Sequence, residues 1–469
     1  TVSSKSFLIT IGDRTVGGMV ARDQLIGPYQ VPVSDYSMSL RSFTSNSGEV
    51  LTIGEKPTLA VNNPAASMRM SIAEALTNMS GVLIKGLDQV QVSANWMAAT
   101  GEEVEDISLR EGVEALSKSC VDLNISVPVG KDSLSMRTKW EDGEVERVVK
   151  SPLSGVITAM APVADVRDAV TPELNTKIPS HLVHVKLNSH TRMSGSIFSE
   201  VTQTNFVNTP DIDDMDLLKV MFTSIQKLVS ENKILSLHDV SDGGLITTLL
   251  EMAFTKKIGL KIKDQELTKG NLNNYFFSEE SGLVIQIADS DIETIQDQLL
   301  SVGLSAKIIA SISDNKEISV SNESENLFSE SVITLEKYWR EASHAIQAIR
   351  DNQLIADSEL GLLDDEVYSG LFSKESFDES VIESFNIMNS KPRVAILREQ
   401  GVNGQMEMAA AFTLAGFEAV DVHMQDLLDS NVYLKDFNGL AACGGFSYGD
   451  VLGAGGGWSK TIIHNDLVK

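Results

Sequence analysis

Apolar positions along the chain switch repeatedly between the two-residue period of strands and the roughly 3.6-residue period of helices. Phe7, Ile9 and Ile11 alternate with Leu8 and Thr10, which predicts a strand closed by the turn Gly12-Asp13-Arg14. Met68, Ile72, Leu76 and Met79 recur at helical spacing instead. Asn63 is placed to cap that helix, Pro64 to occupy its first position and Gly81 to close it. A second helix is predicted over 109–120, and a returning strand over 151–161.

Residues 1–165 thus read as one block of mixed strands and helices, and 166–322 as another. In the second block 182–187 is a strand and 214–231 an amphipathic helix. A short strand over 234–237 runs into His238-Asp239-Val240-Ser241-Asp242-Gly243-Gly244, ahead of a helix over 245–254. Residues 323–390, rich in Ser, Glu and Asp around a helix over 336–350, read as a linker. From 391 to 469 the pattern is doubly wound: strand 394–397, helix 406–415, strand 418–422, strand 440–443. These are too few elements for a complete domain of that kind. The fold class is α/β, in the broad sense that includes α+β.

Composition then narrows the function classes. A length of 469 residues suggests roughly three domains. With 38 Lys and Arg against 65 Asp and Glu, the net charge is −27. Such a surface repels phosphate backbones, which excludes nucleic acid and anionic membrane as partners. No apolar run is long enough to span a bilayer and no signal peptide is visible. Cys120 and Cys443 are the only cysteines, which points to a reducing, cytoplasmic setting. The start lacks an initiator Met and 458–469 reads as a helix without a stop signal, as expected of a piece of a longer protein.

The informative polar residues sit at element ends. Glu74 and Asn78 lie one turn apart on a helix face otherwise small or apolar, where a buried Glu needs a partner. Asp35 ends an extended Pro32-Val33-Ser34 run, and Asp239 follows the strand that closes at Leu237. Three carboxylates and an amide oxygen form the hard-oxygen set that Mg²⁺ prefers, should the fold bring them together. Facing water, the same residues carry no chemistry. The run Asp239 to Gly244 offers a carboxylate, a hydroxyl and two glycine N–H groups for a phosphate. It also suits a plain helix start with Ser241 or Asp242 as cap.

Gly130-Lys131-Asp132-Ser133 suggests a phosphate loop but fails the P-loop pattern, with Ile125 in place of the first Gly and Asp132 in place of Ser or Thr. An anion-binding turn and a surface turn between two strands both remain open for it. Cys443 lacks the Gly two residues earlier that a nucleophile elbow requires, and neither His423 nor His464 is spaced as its base. A buried thiol ending a strand describes it better. Gly444, Gly445 and Gly449 expose successive backbone N–H groups, as an oxyanion hole or anion nest requires. His181, His184 and His190 read as ordinary histidines, and Gly453 to Trp458 misses the final Gly of a dinucleotide loop.

Taken together, these motifs resemble one family. Leu397-Arg398-Glu399-Gln400-Gly401-Val402-Asn403 and the run Ala442 to Gly455 resemble the opening of the class I glutaminase domain of phosphoribosylformylglycinamidine synthase, in its large single-chain bacterial form. Ser93-Ala94-Asn95-Trp96-Met97, the run Val127 to Ser133 and the run His238 to Leu245 resemble the second half of that family's synthetase domain, in the same order. The resemblance implies an aminoimidazole ribonucleotide synthetase-like unit of two subdomains, followed by the start of a flavodoxin-like glutaminase domain. It implies ATP- and Mg²⁺-dependent conversion of formylglycinamide ribonucleotide to the amidine in purine biosynthesis, with glutamine supplying ammonia. ATP would activate the amide oxygen as an iminophosphate, which ammonia displaces.

Carried over by motif, Asp35, Glu74, Asn78 and Asp239 resemble the family's Mg²⁺ ligands. Ser34 and Ser241 resemble its nucleotide contacts, with Lys5 and Asp13 near the same nucleotide. In this half the site would be auxiliary and hold ADP, the catalytic ATP site belonging to the other half. Gly444 to Gly449 resemble the oxyanion-hole segment, whereas the family's nucleophile, His and Glu fall beyond Lys469, and Gly456 stands where relatives carry Glu. The expected partners are therefore ATP or ADP, a phosphoribosyl substrate, and the remaining half and glutaminase portion of the same protein. Two rivals stand beside this reading. One is a non-catalytic half that only retains ADP–Mg²⁺. The other is a kinase-like ligase of the selenophosphate or thiamine monophosphate kinase type, which lacks a fused glutaminase domain.

Overall fold

The cleanest two-residue alternation in the chain, over Ser154–Val163, buries every second residue and forms the middle of a six-stranded sheet. A computed structural model describes residues 2–9, 18–374, 376 and 391–468. It divides into two compact units, Thr1–Phe372 and Ser373–Lys469.

The first sheet of the first unit contains β1 (Val20–Arg22), β2 (Ser37–Leu40), β3 (Gly48–Gly54), β4 (Gln91–Met97), β5 (Ser126–Ser133) and, after the hairpin β6 (Arg137–Asp142) and β7 (Val145–Lys150), β8 (Ser154–Val163). Their order is β1-β2-β3-β8-β4-β5, antiparallel except where β4 meets β5. Among the described residues four α-helices belong to this part: α1 (Ser6–Ile9), α2 (Pro57–Ala60), α3 (Pro64–Met79) and α4 (Glu103–Leu123). Asn63 caps α3, its side chain accepting from the Ala66 N–H, with Pro64 at the first turn.

The second sheet takes β9 (Ser180–Lys186), β10 (Ser236–Val240), β11 (Gly259–Lys263), β12 (Gly282–Ala288), β13 (Ser305–Ser313), β14 (Glu317–Ser321) and β15 (Asn326–Ser331), in the order β10-β12-β9-β13-β11-β14-β15. Around it lie α5 (Ile197–Thr202), α6 (Met215–Ser230), α7 (Gly244–Phe254), α8 (Leu272–Phe277), α9 (Ile292–Ser301), α10 (Val332–Arg350) and α11 (Gln353–Gly361). Its central strands serve two cores at once. Val183, Val185, Leu283 and Ile285 enter the core shared with α3, α4 and α6, while Leu182 and Val284 enter the one under α7. Covered on both faces, such strands read as continuous apolar runs.

The second unit is a small parallel sheet, β17-β16-β18, from β16 (Arg393–Arg398), β17 (Glu418–His423) and β18 (Gly439–Ala442), with α12 (Gln405–Leu414), α13 (Met424–Leu428) and α14 (Gly455–Ile463). Among the described residues no helix is long and apolar enough to cross a membrane.

Four expectations change. Residues 6–9 are a turn of helix rather than a strand, because among the described residues no strand pairs with them: the Phe7 N–H donates instead to Ser343 Oγ (3.0 Å) and the Ser4 N–H to the Trp339 carbonyl (2.9 Å), and Thr10 and Ile11 lie outside the described residues. The turn at Gly12-Asp13-Arg14 lies outside the described residues. Gly130-Lys131-Asp132-Ser133 is the end of strand β5, not a turn, since β4 pairs with it in parallel. β10 extends to Val240, so Asp239 lies inside the strand. Finally, much of the predicted linker is structured: β15 pairs with β14, and Val332 at the start of α10 is fully buried against the second sheet.

Candidate functional site

The site is built where α3 rests on the end of β3. A Cβ on Gly54 would lie 2.0 Å from the Ser71 carbonyl oxygen, so only glycine lets strand and helix approach this closely. That contact sets Glu74 and Asn78 over the strand end. Glu74 Oε2 accepts from the Glu55 N–H (2.6 Å), and Asn78 Nδ2 donates to the Ile53 carbonyl (3.0 Å).

Behind Glu74 lies Lys56, 2% exposed, on the turn between β3 and α2. Its ammonium bonds Glu74 Oε1 (2.8 Å), Asp242 Oδ1 (2.6 Å) and Ser241 Oγ (2.7 Å). Ser241 Oγ in turn donates to Glu74 Oε1. Burial works against this ammonium, but Glu74, Asp242 and Glu279 outweigh it and hold its pKa well above that of a free lysine.

Opposite them, Asp35, on the loop before β2, meets His238 and Asp239 of β10. His238 Nδ1 bonds Asp35 Oδ1 (2.6 Å) and its Nε2 bonds Glu251 Oε2 on α7 (2.9 Å). Burial disfavours charge on the ring, but a carboxylate at each nitrogen reverses this and raises its pKa well above 6.5, so both nitrogens carry protons. Ligand atoms of Asp35, His238 and Asp239 lie within 4.8 Å of one another. Asp35 Oδ2 and Asp239 Oδ2 are buried without a hydrogen-bond partner. Burial, then the charge of Asp35, pushes the Asp239 carboxyl well up; burial also raises Asp35, with His238 pulling the other way.

Two sealed carboxylate oxygens without donors are costly unless a cation completes them. This donor set therefore fits a hard divalent ion. Because both nitrogens of His238 are engaged, the available ligands are the oxygens of Asp35 and Asp239, with Glu74 and Asn78 close by.

A cleft of about 900 Å³ opens over this cluster. Lys5, Ser34, Asp35, Glu74, Asn78, Asp239 and Ser241 all line it, so the positions picked from sequence share one cleft, although of the expected carboxylate ligands only Asp35 and Asp239 belong to the group within 4.8 Å. The two glycines after Ser241 do not present free N–H groups to it. The Gly243 N–H donates to Glu279 Oε1 (2.9 Å) and the Gly244 N–H to the Ser241 carbonyl (2.9 Å). Neither Ser241 nor Asp242 caps α7; Gly243, at φ +82°, holds that position without a side chain. Lys131, whose Nζ donates to Ser133 Oγ (2.6 Å), sits on the exposed strand β5 and does not line the cleft, nor do Gly130 and Asp132. Asp13 lies outside the described residues.

Sequence reading missed Lys56, Glu251 and Glu279 and gave His238 no role. A lysine directly before Pro57 at a helix start was the only local signal for Lys56. Besides Glu74, its partners Ser241 and Asp242 lie 185 and 186 residues away, which no local pattern reveals. In the second unit, Cys443 is buried just past β18, where burial pushes its thiol pKa up. The loop after it is pinned by Gly401, whose carbonyl accepts from the Phe446 N–H (2.8 Å), and by the Asn403 N–H on the Gly444 carbonyl (3.3 Å). Gly445 and Gly449 adopt φ of +144° and +60° there.

Comparison with known proteins gives three family-model matches in order. Residues 4–162 match the FGAR-AT PurM_N-like domain, 181–322 the C-terminal domain of AIR synthase related proteins, and 391–469 the CobB/CobQ-like glutamine amidotransferase domain. Among solved structures, Thermotoga maritima PurL complexed with ATP is similar at 10% identity and a TM-score of 0.50, over 71% of this chain and 48% of that one. The same enzyme complexed with FGAR is similar at 10% identity and a TM-score of 0.51, over 71% and 50%. At that identity the likeness is one of fold, and this chain spans about half the length of those relatives. A PurM-like synthetase domain, its AIR synthase-type companion and a glutamine amidotransferase domain follow one another in one polypeptide, and the chain therefore belongs to the phosphoribosylformylglycinamidine synthase family.

Proposed function

We propose that the chain is part of an ATP- and Mg²⁺-dependent amidotransferase ligase of purine biosynthesis, and that the cleft over Asp35, Glu74 and Asp239 is its auxiliary nucleotide–divalent ion site. The reaction would convert formylglycinamide ribonucleotide, glutamine and ATP to the amidine in the cytoplasm. The observation that carries the site assignment is the pair of buried, donorless oxygens, Asp35 Oδ2 and Asp239 Oδ2, at the floor of the cleft.

A divalent ion bound there would neutralise crowded nucleotide phosphate oxygens. The chain's own residues prepare the place. His238 holds Asp35 by one oxygen and leaves the other free. Lys56 and the Glu55 N–H orient Glu74 from behind, and Ser34 and Ser241 border the space for a phosphate. T. maritima PurL, solved with ATP and with FGAR, supports nucleotide and phosphoribosyl ligands for this fold. The non-catalytic reading is favoured by one feature: both nitrogens of His238 are engaged by carboxylates, which leaves that ring no lone pair with which to accept a proton.

Calorimetric titration with ADP in the presence of Mg²⁺ tests the site. Wild type should bind, and Asp239→Ala and Glu74→Ala should each weaken binding at least tenfold, as loss of a charged ligand does. Unchanged affinity in both variants would remove the assignment. Ammonia-dependent amidine formation, measured with and without the remaining half of the enzyme in trans, separates a catalytic contribution from simple nucleotide retention.

A further inference from the structure

Helix α10 lies between the family-model matches, which end at 322 and resume at 391. It nevertheless supports two edges of the cleft. Trp339 Nε1 donates to Glu251 Oε1 (3.2 Å), Glu251 Oε2 bonds His238 Nε2 (2.9 Å), and His238 Nδ1 bonds Asp35 Oδ1 (2.6 Å). From the same residue, the Trp339 carbonyl accepts from the Ser4 N–H (2.9 Å), beside Lys5 on the cleft wall. One turn on, Ser343 Oγ donates to the Ser4 carbonyl (3.0 Å).

Packing alone does not call for this arrangement. The Trp339 ring already sits 5.5 Å from Phe254 in the apolar core under α7, and an indole N–H needs one acceptor of any kind. Its acceptor is instead a carboxylate 18% exposed, set between indole and imidazole and bonded at both oxygens. A carboxylate fixed at both ends fixes the His238 ring plane, which occupies Asp35 Oδ1 and leaves Oδ2 as the open ligand atom. Outer partners of this kind orient ligands in metal sites generally.

We propose that Trp339 is a positioning residue for the divalent ion: through Glu251 and His238 it fixes Asp35, and its indole reports when the last oxygen of that chain is taken up. This rests on the nucleotide–divalent ion reading of the cleft.

Titrating Mg²⁺ alone into the full chain, with calorimetry and tryptophan emission followed together, tests it. Wild type should show a saturable emission change whose midpoint matches the calorimetric Kd. Trp339→Phe, which keeps Trp96, Trp140 and Trp458, should lose that change and bind Mg²⁺ about tenfold more weakly. Glu251→Gln, close to isosteric and leaving the Trp339–Phe254 ring pair in place, should weaken Mg²⁺ similarly. The double variant should be no worse than the weaker single one, because the two residues act in series. An emission change that persists in Trp339→Phe, wild-type affinity in that variant, or additive losses in the double variant would each overturn the assignment. Were wild type to take up no divalent ion, the cleft reading would fall and this one with it. Were wild type to bind and Trp339→Phe to bind equally, only the role of Trp339 would fall.

Discussion

Lys56 shows how much one side chain can decide at this site. It is 2% exposed and faces Glu74, Asp242 and, at longer range, Glu279. Removing one member of a buried ion pair strands its partner, a loss of about 3 kcal/mol or more. Lys56→Met should therefore destabilise the first unit by about that much, read as a lowered urea midpoint, while Lys56→Arg should recover part of it. A loss under about 1 kcal/mol would mean that solvent, reaching the half-exposed Asp242, already screens the cluster. Single residues also show what the sequence could and could not reveal. Glu74 and Asn78 stood out as polar residues on a helix otherwise small or apolar, Asp35 and Asp239 as carboxylates where an extended run ends. Lys56 and Glu251 did not, because each is explained by partners on other elements of the fold, 13 residues or more away.

Among elements, α3 was legible from end to end, since periodicity, Asn63 and Pro64 agree. Asn63→Ala removes one cap bond, 2.9 Å to the Ala66 N–H, and should lower stability by about 1 kcal/mol. The cap lies at the far end of the helix from Glu74 and Asn78, so ADP affinity should stay within a factor of two. A large affinity loss would mean that the helix start, and not the Gly54 contact with β3, positions the ligand face. β10 was less legible because His238 and Asp239 are polar, and a local pattern reads polar residues after an apolar run as loop. They lie in strand because β12 pairs with them residue for residue, from Ser236 with Gln286 to Val240 with Gly282. α10 was misplaced for a similar reason. Its Ser- and Glu-rich surroundings look like a linker, while Val332, Leu335 and Trp339 pack on the second sheet.

For the molecule as a whole, a net charge of −27 means that acidification changes many groups at once, and their signs differ. Burial pushes Glu279 up to about 7, above an exposed glutamate. It therefore adds stability as the pH falls towards its unfolded value, and that contribution is lost as the pH rises through 7. His184 on β9 acts in the opposite direction. Its Nε2 is sealed without a partner, and burial, with Lys186 nearby, holds its pKa down at about 3. The unfolded chain takes up a proton near pH 6.5 that the folded ring refuses, so stability falls steadily below that point until about pH 3. Each pH unit in that window removes up to about 1.4 kcal/mol. Comparison with His184→Leu isolates the effect, because the acidic background is common to both proteins. Between pH 6.5 and 5, urea unfolding should show wild type losing roughly 1.6 kcal/mol relative to the variant, the slope growing from about 0.7 per unit at pH 6.5 towards about 1.4 at pH 5. Parallel profiles over the same interval would mean that the ring reaches water in the folded state and takes up its proton there.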